Sequence, residues 1–323
     1  MKLIIQIPCL NEAEYLPATL AGLPRKVEGF DEVQWLIIDD GSSDNTTEVA
    51  IEHGADYVVR FSQNQGLAAA YQAGVDAALK LGADVIVNTD ADNQYDSSAI
   101  PDLVRPILEK SADVVVGDRD TDSVEEFSWS KRQLQKLGTR IAQRFSGTDV
   151  GDATSGFRAI SREAAMHINL VGKFTYTIES LIQVDDASLA LKNVSVKRND
   201  SVRPSRLFGS TWKYVTRNAW TMIRIYIQYR PLRLFIPMGI VFILLAFISW
   251  LPWLIDNLNP PATPHLQSVI LGAVFFISGV QVLLFGFIAD SIYSVRSLST
   301  KTLHRVRDIE LKVGVEPKIY KRK

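Results

Sequence analysis

Two long uncharged stretches dominate the last third of this 323-residue chain. Residues 234–255 and 266–289 contain no Asp, Glu, Lys or Arg and consist mostly of large apolar side chains. A helix needs about 20 such residues to cross the hydrocarbon core of a bilayer, and each stretch is long enough. Residues 256–265 between them include three prolines, which favour a turn. We therefore predict a two-helix membrane hairpin over residues 233–290, with a buried hairpin of a soluble core as the alternative.

Charge is distributed unevenly around this hairpin. The whole chain has a net charge of −1, which argues against a nucleic-acid binder, but residues 1–195 carry 17 basic and 30 acidic side chains. Residues 196–233 carry nine and one, and residues 291–323 carry nine and three. Lys and Arg thus flank the open end of the hairpin, whereas its turn has none. The positive-inside rule then predicts that the N-terminal domain and the basic tail, residues 291–323, are both cytoplasmic.

Residues 206–232 form the predicted juxtamembrane region. Between residues 212 and 229, apolar side chains recur at helical spacing, with Lys213, Arg217 and Arg224 among them. This pattern predicts an amphipathic helix in the headgroup layer, or alternatively a core helix packed on the soluble domain. Glycines within the hairpin permit close helix packing, either within one chain or in a homo-oligomer; they are Gly239, Gly272, Gly279 and Gly286.

Short β-branched runs alternate with helical stretches over residues 1–120. The predicted strands cover residues 3–7, 34–38, 57–60, 84–88 and 113–117. The predicted helices cover residues 12–23, 45–53, 67–81 and 97–110, the last capped by Ser97. Strict alternation indicates crossover connections, so we predict an α/β domain with a mostly parallel sheet over residues 1–205. Ligands of such sheets bind at the carboxyl ends of the strands.

Several common kinds of site have no support in the sequence. No glycine-rich dinucleotide motif or P-loop follows a predicted strand. The single cysteine, Cys9, excludes an intramolecular disulfide and has no evident histidine partner, so we interpret it as a small buried residue. The four histidines lie far apart in the sequence and predict no zinc site; they are His53, His167, His265 and His304.

Polar side chains gather where the predicted strands end. Asn11 and Glu12 follow the first strand, and Asp39 and Asp40 end the second. The fourth strand leads into Asp90, Asp92 and Gln94, and the fifth into Asp118 and Arg119. Because the carboxyl ends of parallel strands meet at one edge of a sheet, these side chains are expected to form one site.

The two carboxylates at Asp90 and Asp92 carry the most chemical information. Spaced two residues apart beyond a strand, they can face one point, and Gln94 adds an amide oxygen at the same spacing. Hard oxygen ligands suit Mg²⁺ or Mn²⁺ shared with a diphosphate. A turn and cap ahead of the next helix is the alternative explanation.

Together these segments resemble the family 2 glycosyltransferases with the GT-A Rossmann-like fold. The resemblance rests on four motifs in order: Pro8-Cys-Leu-Asn-Glu12, Asp39-Asp-Gly-Ser-Ser-Asp-Asn-Thr46, Asn64-Gln-Gly-Leu67 and Asp90-Ala-Asp-Asn-Gln94. Within the family the chain is most similar to the polyprenyl-phosphate branch, which includes dolichol-phosphate mannose synthase and undecaprenyl-phosphate glucosyltransferase. Members of that branch also carry amphipathic helices and C-terminal membrane spans. The chain lacks the Gln-x-x-Arg-Trp motif of the processive polysaccharide synthases.

The resemblance implies roles for individual residues. Those implied to line the pocket for a UDP- or GDP-sugar are Pro8, Asn11, Glu12, Asp39, Asp40, Gly66 and Asp90. Asp90, Asp92 and Gln94 are implied to hold the metal, and Arg119 to lie near the phosphates or the sugar. The segment from Gly151 to Arg158 is similar to the second acidic loop of the family, in which Asp152 would lie near the donor and acceptor.

The implied acceptor is polyprenyl phosphate. A phosphate monoester has a second pKa of about 6, so it arrives largely ionised and does not require a base. Asp152 could then orient substrates instead of removing a proton. Basic residues expected to hold the lipid phosphate are Lys131, Arg132, Arg203 and Arg206, with general attraction to anionic lipid as the alternative. A lipid hydroxyl acceptor, which would need a base, and a non-catalytic nucleotide-sugar-binding scaffold also remain open.

Overall fold

The computed structural model describes residues 1–119, 151–170, 176–197, 199, 224, 227–258 and 265–322. The chain forms two compact units. The first contains Met1–Gly209 together with Thr300–Lys323, and the second is Ser210–Ser299. The predicted amphipathic helix over residues 212–229 lies almost entirely outside the described residues.

A single twisted sheet forms the centre of the first unit. Its strands are β1 (Lys2–Cys9), β2 (Glu32–Asp39), β3 (Tyr57–Arg60), β4 (Val85–Asn88), β5 (Val114–Arg119), β6 (Arg158–Ser161), β7 (Leu191–Val196) and β8 (Lys321–Arg322). Over the described ranges the strand order is β7-β5-β6-β4-β1-β2-β3-β8. β6 and β8 run antiparallel to their neighbours, and the other pairs are parallel. The sheet is therefore mostly parallel, as the sequence predicts.

Short helices pack on both faces of this sheet. They are α1 (Leu16–Gly22), α2 (Thr46–Glu52), α3 (Leu67–Lys80), α4 (Ile100–Leu108), α5 (Arg162–His167) and α6 (Tyr176–Asp186). On β1, Leu3 and Ile5 belong to one apolar cluster, whereas Ile4 between them belongs to the other. Because side chains alternate across a strand, a strand buried on both faces must be apolar at nearly every position.

The five predicted strands and four predicted helices of residues 1–119 are present, with shifts of a few residues at their ends. One detail of the prediction is wrong. Ser97 does not cap the fourth helix but begins a single 3₁₀ turn, Ser97–Ala99, that precedes α4. This 3₁₀ turn is capped by Asp96, whose carboxylate accepts a hydrogen bond from the backbone N–H of Ser98 at 2.9 Å.

The second unit contains two long apolar helices. α7 spans Pro231–Leu258, and α8 begins at Leu266 and continues to Val313, so that its last turns belong to the first unit. Their most apolar windows have mean hydropathies of 2.5 and 2.3, and only 11% and 17% of those residues are buried. Such exposure is unlike a core helix. Both helices are long and apolar enough to cross a membrane.

Glycines bring α7 and α8 close together. A Cβ atom on Gly239 would lie 3.2 Å from the carbonyl oxygen of Gly279, and a Cβ on Gly272 would lie 2.2 Å from the indole nitrogen of Trp250. A Cβ on Gly286 would lie 2.8 Å from the Cβ of Phe235. The hairpin glycines therefore allow close packing within one chain.

Two of the histidines that are distant in sequence come together in the first unit. His167 ends α5, His304 lies near the C-terminal end of α8, and their ring centroids are 4.4 Å apart. Glu163 lies beside both rings. The sequence predicts no zinc site at these histidines, and the contact between the two rings leaves that prediction untested. The contact depends on the return of α8 to the sheet domain, which sequence spacing does not indicate.

Candidate active site

The loops that follow β1, β2 and β4 emerge at one edge of the sheet. In the parallel register, Cys9 lies opposite Asp39 and Gln6 lies opposite Asn88. Pro8 is buried within β1, one residue before the strand ends. The structure therefore brings together the polar residues that follow these strands.

The β1 and β2 loops are joined by hydrogen bonds. Asn11 adopts a positive φ of 54°, and its amide oxygen accepts a bond from the backbone N–H of Ser43 at 2.8 Å. Its own N–H donates to the hydroxyl of Ser42 at 2.9 Å. The N–H of Glu12 donates to the hydroxyl of Thr46 at 3.0 Å. These contacts fix Asn11 and Glu12 at the edge of the site.

Asp39 is fully buried and stabilises the turn that follows β2. Its carboxylate accepts hydrogen bonds from the N–H of Ser42 at 2.8 Å and from the hydroxyl of Thr47. The guanidinium of Arg60, at the end of β3, lies 3.5 Å away. A buried carboxylate is stable only with partners such as these.

Asp40 holds a third loop against the site. Its two oxygens accept bonds from the N–H groups of Gln65 and Gly66 at 2.7 and 2.9 Å. Gly66 has a φ of +98° and precedes the first turn of α3. Gly41 has a φ of +72°, and a Cβ there would lie 2.5 Å from the backbone carbon of Gln63. Only glycine fits at this approach of two backbones.

Asp90, Asp92 and Gln94 form the acidic part of the site. The carboxylate of Asp92 accepts hydrogen bonds from the side-chain amide of Gln94 at 2.5 Å and from its N–H at 3.3 Å. Burial, together with the negative charges of Asp92 and Glu12, raises the pKa of Asp90 to about 6 against the opposing charge of Arg119. Asp90 is thus a buried carboxylate close to other negative charges, with the positive charge of Arg119 opposing them.

Arg119, Asp152 and Thr154 form a second group at the same edge. The Nε of Arg119 lies 2.6 Å from the carboxylate of Asp152, and one of its terminal nitrogens donates to the hydroxyl of Thr154 at 3.1 Å. Burial alone would raise the pKa of Asp152, but the guanidinium of Arg119 and the bonds from Thr154 outweigh it and lower the pKa. Asp152 is therefore a buried anion held by a cation.

Further residues hold the second acidic loop in position, and no motif in the sequence indicates this role for them. Arg158 is almost fully buried and donates to the backbone oxygens of Ser155 and Ala153 at 2.8 and 2.9 Å. The buried amide of Asn88 donates to the oxygen of Gly156 at 2.7 Å, and the N–H of Gly156 donates to the hydroxyl of Tyr95 at 3.1 Å. The signal for Arg158 was a charged residue at the first position of a short strand, β6.

Comparison with known proteins identifies the family to which this chain belongs. Residues 4–168 match the family model for glycosyl transferase family 2, and residues 230–295 match the model for a GtrB C-terminal hairpin. The chain belongs to glycosyl transferase family 2. As a family 2 enzyme it combines a glycosyltransferase domain with a hairpin of the GtrB type.

Relatives cover both parts of this family 2 glycosyltransferase. It is 31% identical over 176 residues to the undecaprenyl-phosphate mannosyltransferase of Micrococcus luteus, a match that covers 53% of this chain and 70% of that protein. It is 27% identical over 325 residues to the glycosyltransferase AglJ of Haloferax volcanii, covering 95% and 97% of the two chains. These similarities place the enzyme in the polyprenyl-phosphate branch of the family.

A solved structure shares the fold. Glucosyl-3-phosphoglycerate synthase from Mycobacterium tuberculosis, in complex with Mn²⁺, UDP-glucose and phosphoglyceric acid, aligns with a TM-score of 0.54 and 23% identity. The alignment covers 68% of this chain and 79% of that one. The sheet of this glycosyltransferase is therefore of the GT-A type.

The acidic group of the enzyme fits a divalent cation. The ionisation of Asp90 is made costly first by burial and then by the neighbouring carboxylates of Asp92 and Glu12. A cation between such oxygens relieves this repulsion, and carboxylate oxygens are the ligands that Mg²⁺ and Mn²⁺ prefer. The residues predicted to bind the phosphate of the acceptor lie outside the described residues; they are Lys131, Arg132, Arg203 and Arg206.

Proposed function

We propose that this enzyme transfers a single sugar from a UDP- or GDP-sugar to polyprenyl phosphate at the cytoplasmic leaflet, with inversion at the anomeric carbon. The observation that carries the proposal is the pairing of Arg119 with Asp152 beside the carboxylates of Asp90 and Asp92. Similarity to a protein named undecaprenyl-phosphate mannosyltransferase supports the class of acceptor.

The donor is assigned to the edge formed by the β1, β2 and β4 loops. Residues proposed to line its nucleotide pocket are Pro8, Asn11, Glu12, Asp39, Asp40, Gly66 and Asp90. In this proposal Asp39 and Asp40 act largely by holding loops, because their oxygens already accept backbone and hydroxyl hydrogen bonds. Asp90, Asp92 and Gln94 would hold Mg²⁺ or Mn²⁺. The cation supplies positive charge to the departing diphosphate.

The proposed reaction is an in-line displacement. An oxygen of the lipid phosphate forms a bond to the anomeric carbon, while the bond from that carbon to the nucleoside diphosphate breaks and the electron pair leaves with the diphosphate. Arg119 has two nitrogens in hydrogen bonds with Asp152 and Thr154, so its position is fixed before substrate arrives. A fixed cation near developing negative charge stabilises a transition state without reorganisation.

The state of Asp152 favours a phosphate acceptor over a hydroxyl acceptor. A hydroxyl must lose its proton to a base, and an effective base has a pKa near the working pH. The pKa of Asp152 is instead lowered by Arg119. A phosphate monoester, with a second pKa of about 6, is already largely ionised at neutral pH. In this proposal Asp152 orients Arg119 and the substrates.

Membrane attachment supports a lipid acceptor. α7 and α8 would hold the enzyme in the bilayer, with the turn between them on the far side of the membrane from the catalytic domain. The basic residues on either side of the hairpin would lie against anionic headgroups. Lys131, Arg132, Arg203 and Arg206 are proposed to bind the lipid phosphate.

The decisive experiment supplies purified full-length enzyme with polyprenyl phosphate, Mg²⁺ or Mn²⁺, and UDP-glucose, UDP-N-acetylglucosamine or GDP-mannose in separate reactions. Mass spectrometry of the lipid should reveal one added sugar through a phosphodiester, from one donor in strong preference to the others. A matched reaction with polyprenol, which lacks the phosphate, should give no product. Transfer to polyprenol or to diacylglycerol but not to polyprenyl phosphate would refute the proposal.

The proposed orientation can be tested with single cysteines in a Cys9→Ala background. A membrane-impermeant maleimide applied to intact cells should label Thr263→Cys, in the segment predicted to connect the two apolar stretches. Glu316→Cys, in the basic tail, should react only after the membrane is opened. The opposite pattern would place the catalytic domain outside the cytoplasm.

A further inference from the structure

Three metal-ligating side chains meet where α5 packs against the last turns of α8. Glu163 and His167 lie on α5, and His304 lies on the part of α8 that belongs to the sheet domain. One ligand atom from each residue lies within 4.8 Å of the ligand atoms of the other two. Among the described residues, this is the one group of three potential metal ligands; it consists of Glu163, His167 and His304.

The distances within the group suit a transition metal. Nε2 of His304 lies 3.7 Å from a carboxylate oxygen of Glu163. Ligand atoms bound to Zn²⁺ at about 2.0–2.2 Å in a tetrahedron are about 3.4 Å apart. The side chain of Glu163 is 63% exposed, so a small rotation of this side chain can close the remaining gap.

Each of the two histidines has a ring nitrogen that can act as a metal ligand. Nδ1 of His167 lies 3.0 Å from the backbone oxygen of Glu163, which can only accept, so Nδ1 carries the proton and Nε2 keeps its lone pair. Metal-bound histidines commonly have such a backbone partner. Nε2 of His304 is buried and has no hydrogen-bond partner among the described residues. A buried polar atom without a partner calls for an explanation, and a bound cation supplies one.

The backbone around the group is held in place by other contacts. Arg307, one turn after His304, donates to the backbone oxygens of Met166 and Ile168 at 3.0 and 2.7 Å, on either side of His167. Its guanidinium also lies 2.7 Å from Asp76. The two helical segments are thus positioned without a metal, which reduces the entropy that a metal must overcome to bind.

We propose that Glu163, His167 and His304 bind a transition-metal ion, with Zn²⁺ preferred, and that the bound ion cross-links α5 to the C-terminal segment of α8. Two imidazoles and one carboxylate form a ligand set that Zn²⁺ accepts, with water in the fourth position. Mg²⁺ prefers oxygen ligands, so the two ions select different sites in this chain. The proposal is independent of the sugar-transfer reaction.

The test uses full-length enzyme stripped with a chelator and titrated with Zn²⁺ alone in the presence of excess Mg²⁺, which occupies oxygen-only sites. Calorimetry should show one Zn²⁺ per chain, and Co²⁺ should give the visible absorption of a nitrogen-containing site. His304→Ala and Glu163→Gln should each weaken Zn²⁺ binding by at least about tenfold, since even the loss of an outer partner weakens a metal by that much.

Two variants provide matched controls. His53 also places Nδ1 near the backbone oxygen four residues earlier, at 2.9 Å, but it is exposed and lies outside the ligand group, so His53→Ala should bind Zn²⁺ like wild type. His265 lies 2.6 Å from Asp256, and His265→Ala tests whether that pair is the true site. Circular dichroism in chelator confirms that each variant is folded. Zn²⁺ binding that survives both His304→Ala and Glu163→Gln, or is lost in His265→Ala, would overturn the proposal.

Discussion

Arg119 holds Asp152 as an anion, with its Nε 2.6 Å from the carboxylate. The two residues come from different parts of the chain. Arg119 ends β5, whereas Asp152 lies on the loop before β6. Because a carboxylate with a lowered pKa is a weak base, the acidic residue beside the proposed reaction centre is better suited to orientation than to proton removal. The acceptor must then supply its own negative charge.

Arg119→Lys tests the importance of this pair. Lysine keeps the charge but has a single nitrogen in place of the two that bond Asp152 and Thr154, so we expect sugar transfer to fall by about 100-fold or more. The readout is kcat for transfer to polyprenyl phosphate. Arg105→Lys is the matched control, because Arg105 is exposed on α4 and pairs with Asp102 on the same helix. Equal activity of the Arg119→Lys and Arg105→Lys variants would show that Arg119 has no special role.

Asp152→Asn separates orientation from base catalysis. If Asp152 orients Arg119, the variant should lose activity at every pH while the shape of its pH profile stays that of the wild type. If Asp152 were the base, the acidic limb of the profile would change with the substitution. Activity measured from about pH 5 to about pH 9 therefore distinguishes the two roles.

Asp92→Asn should reduce sugar transfer by at least about 100-fold without unfolding the protein. Burial and then the negative charge of Asp92 raise the pKa of Asp90, so removal of that charge relieves repulsion between the two carboxylates. We therefore expect Tm in chelator to equal or exceed that of the wild type. Asp102→Asn, which removes an exposed carboxylate on α4, is the control for a general loss of charge. Full activity of Asp92→Asn would refute the assignment of Asp92 to the metal.

Gly41→Ala should destabilise the first unit more than Gly82→Ala. Both glycines have a positive φ, of 72° and 83°, so alanine at either position costs about 1–2 kcal/mol of conformational energy. A Cβ on Gly82 meets nothing within 4 Å, whereas one on Gly41 meets the backbone of Gln63. Overpacking adds about 1–3 kcal/mol. Thermal unfolding of the two variants measures the difference, and equal Tm values would contradict it.

Cys9 should resist alkylation in the folded protein and react readily in denaturant. Burial raises the pKa of its thiol, and the charges of Glu12 and Asp39 raise it further, so little thiolate forms at about pH 8. In the unfolded chain the thiol has a pKa of about 8.5, so above that pH it releases a proton that the folded state retains. Stability should therefore fall as the pH rises above that value. The Tm advantage of the wild type over Cys9→Ala should narrow between about pH 7 and about pH 10, and a constant difference would show that the thiol is not the cause.

Local patterns predict most of the α/β domain. β1 has apolar residues on both faces, so its burial follows from the sequence itself, and the strand ends then place Asn11, Asp39 and Asp90 at one edge. The sequence does not predict contacts between distant segments. Spacing does not predict that Asp152 pairs with Arg119 or that His167 contacts His304. Each contact depends on how the later of the two segments returns to the sheet.

Side-chain roles within a motif are equally hard to infer. Asp39 and Asp40 are neighbours in one motif, but the structure uses the first to close a turn and the second to hold the loop before α3. Arg158, at the end of the segment of residues 151–158, has a structural role instead: it donates hydrogen bonds to backbone oxygens of the loop before β6. Such roles depend on which backbone groups lack partners, and only the folded chain shows that.

The placement of β8 has a consequence for biosynthesis. Tyr320 donates its N–H to the oxygen of Val58 at 2.8 Å, and Lys321 pairs with Val58 on β3, so the edge of the sheet is covered by residues made after both apolar helices. A ribosome releases these residues later than everything else in the sheet. The edge strand β3 therefore stays unpaired on its outer side until the hairpin has been synthesised. The catalytic domain completes its fold only after both apolar helices have left the ribosome.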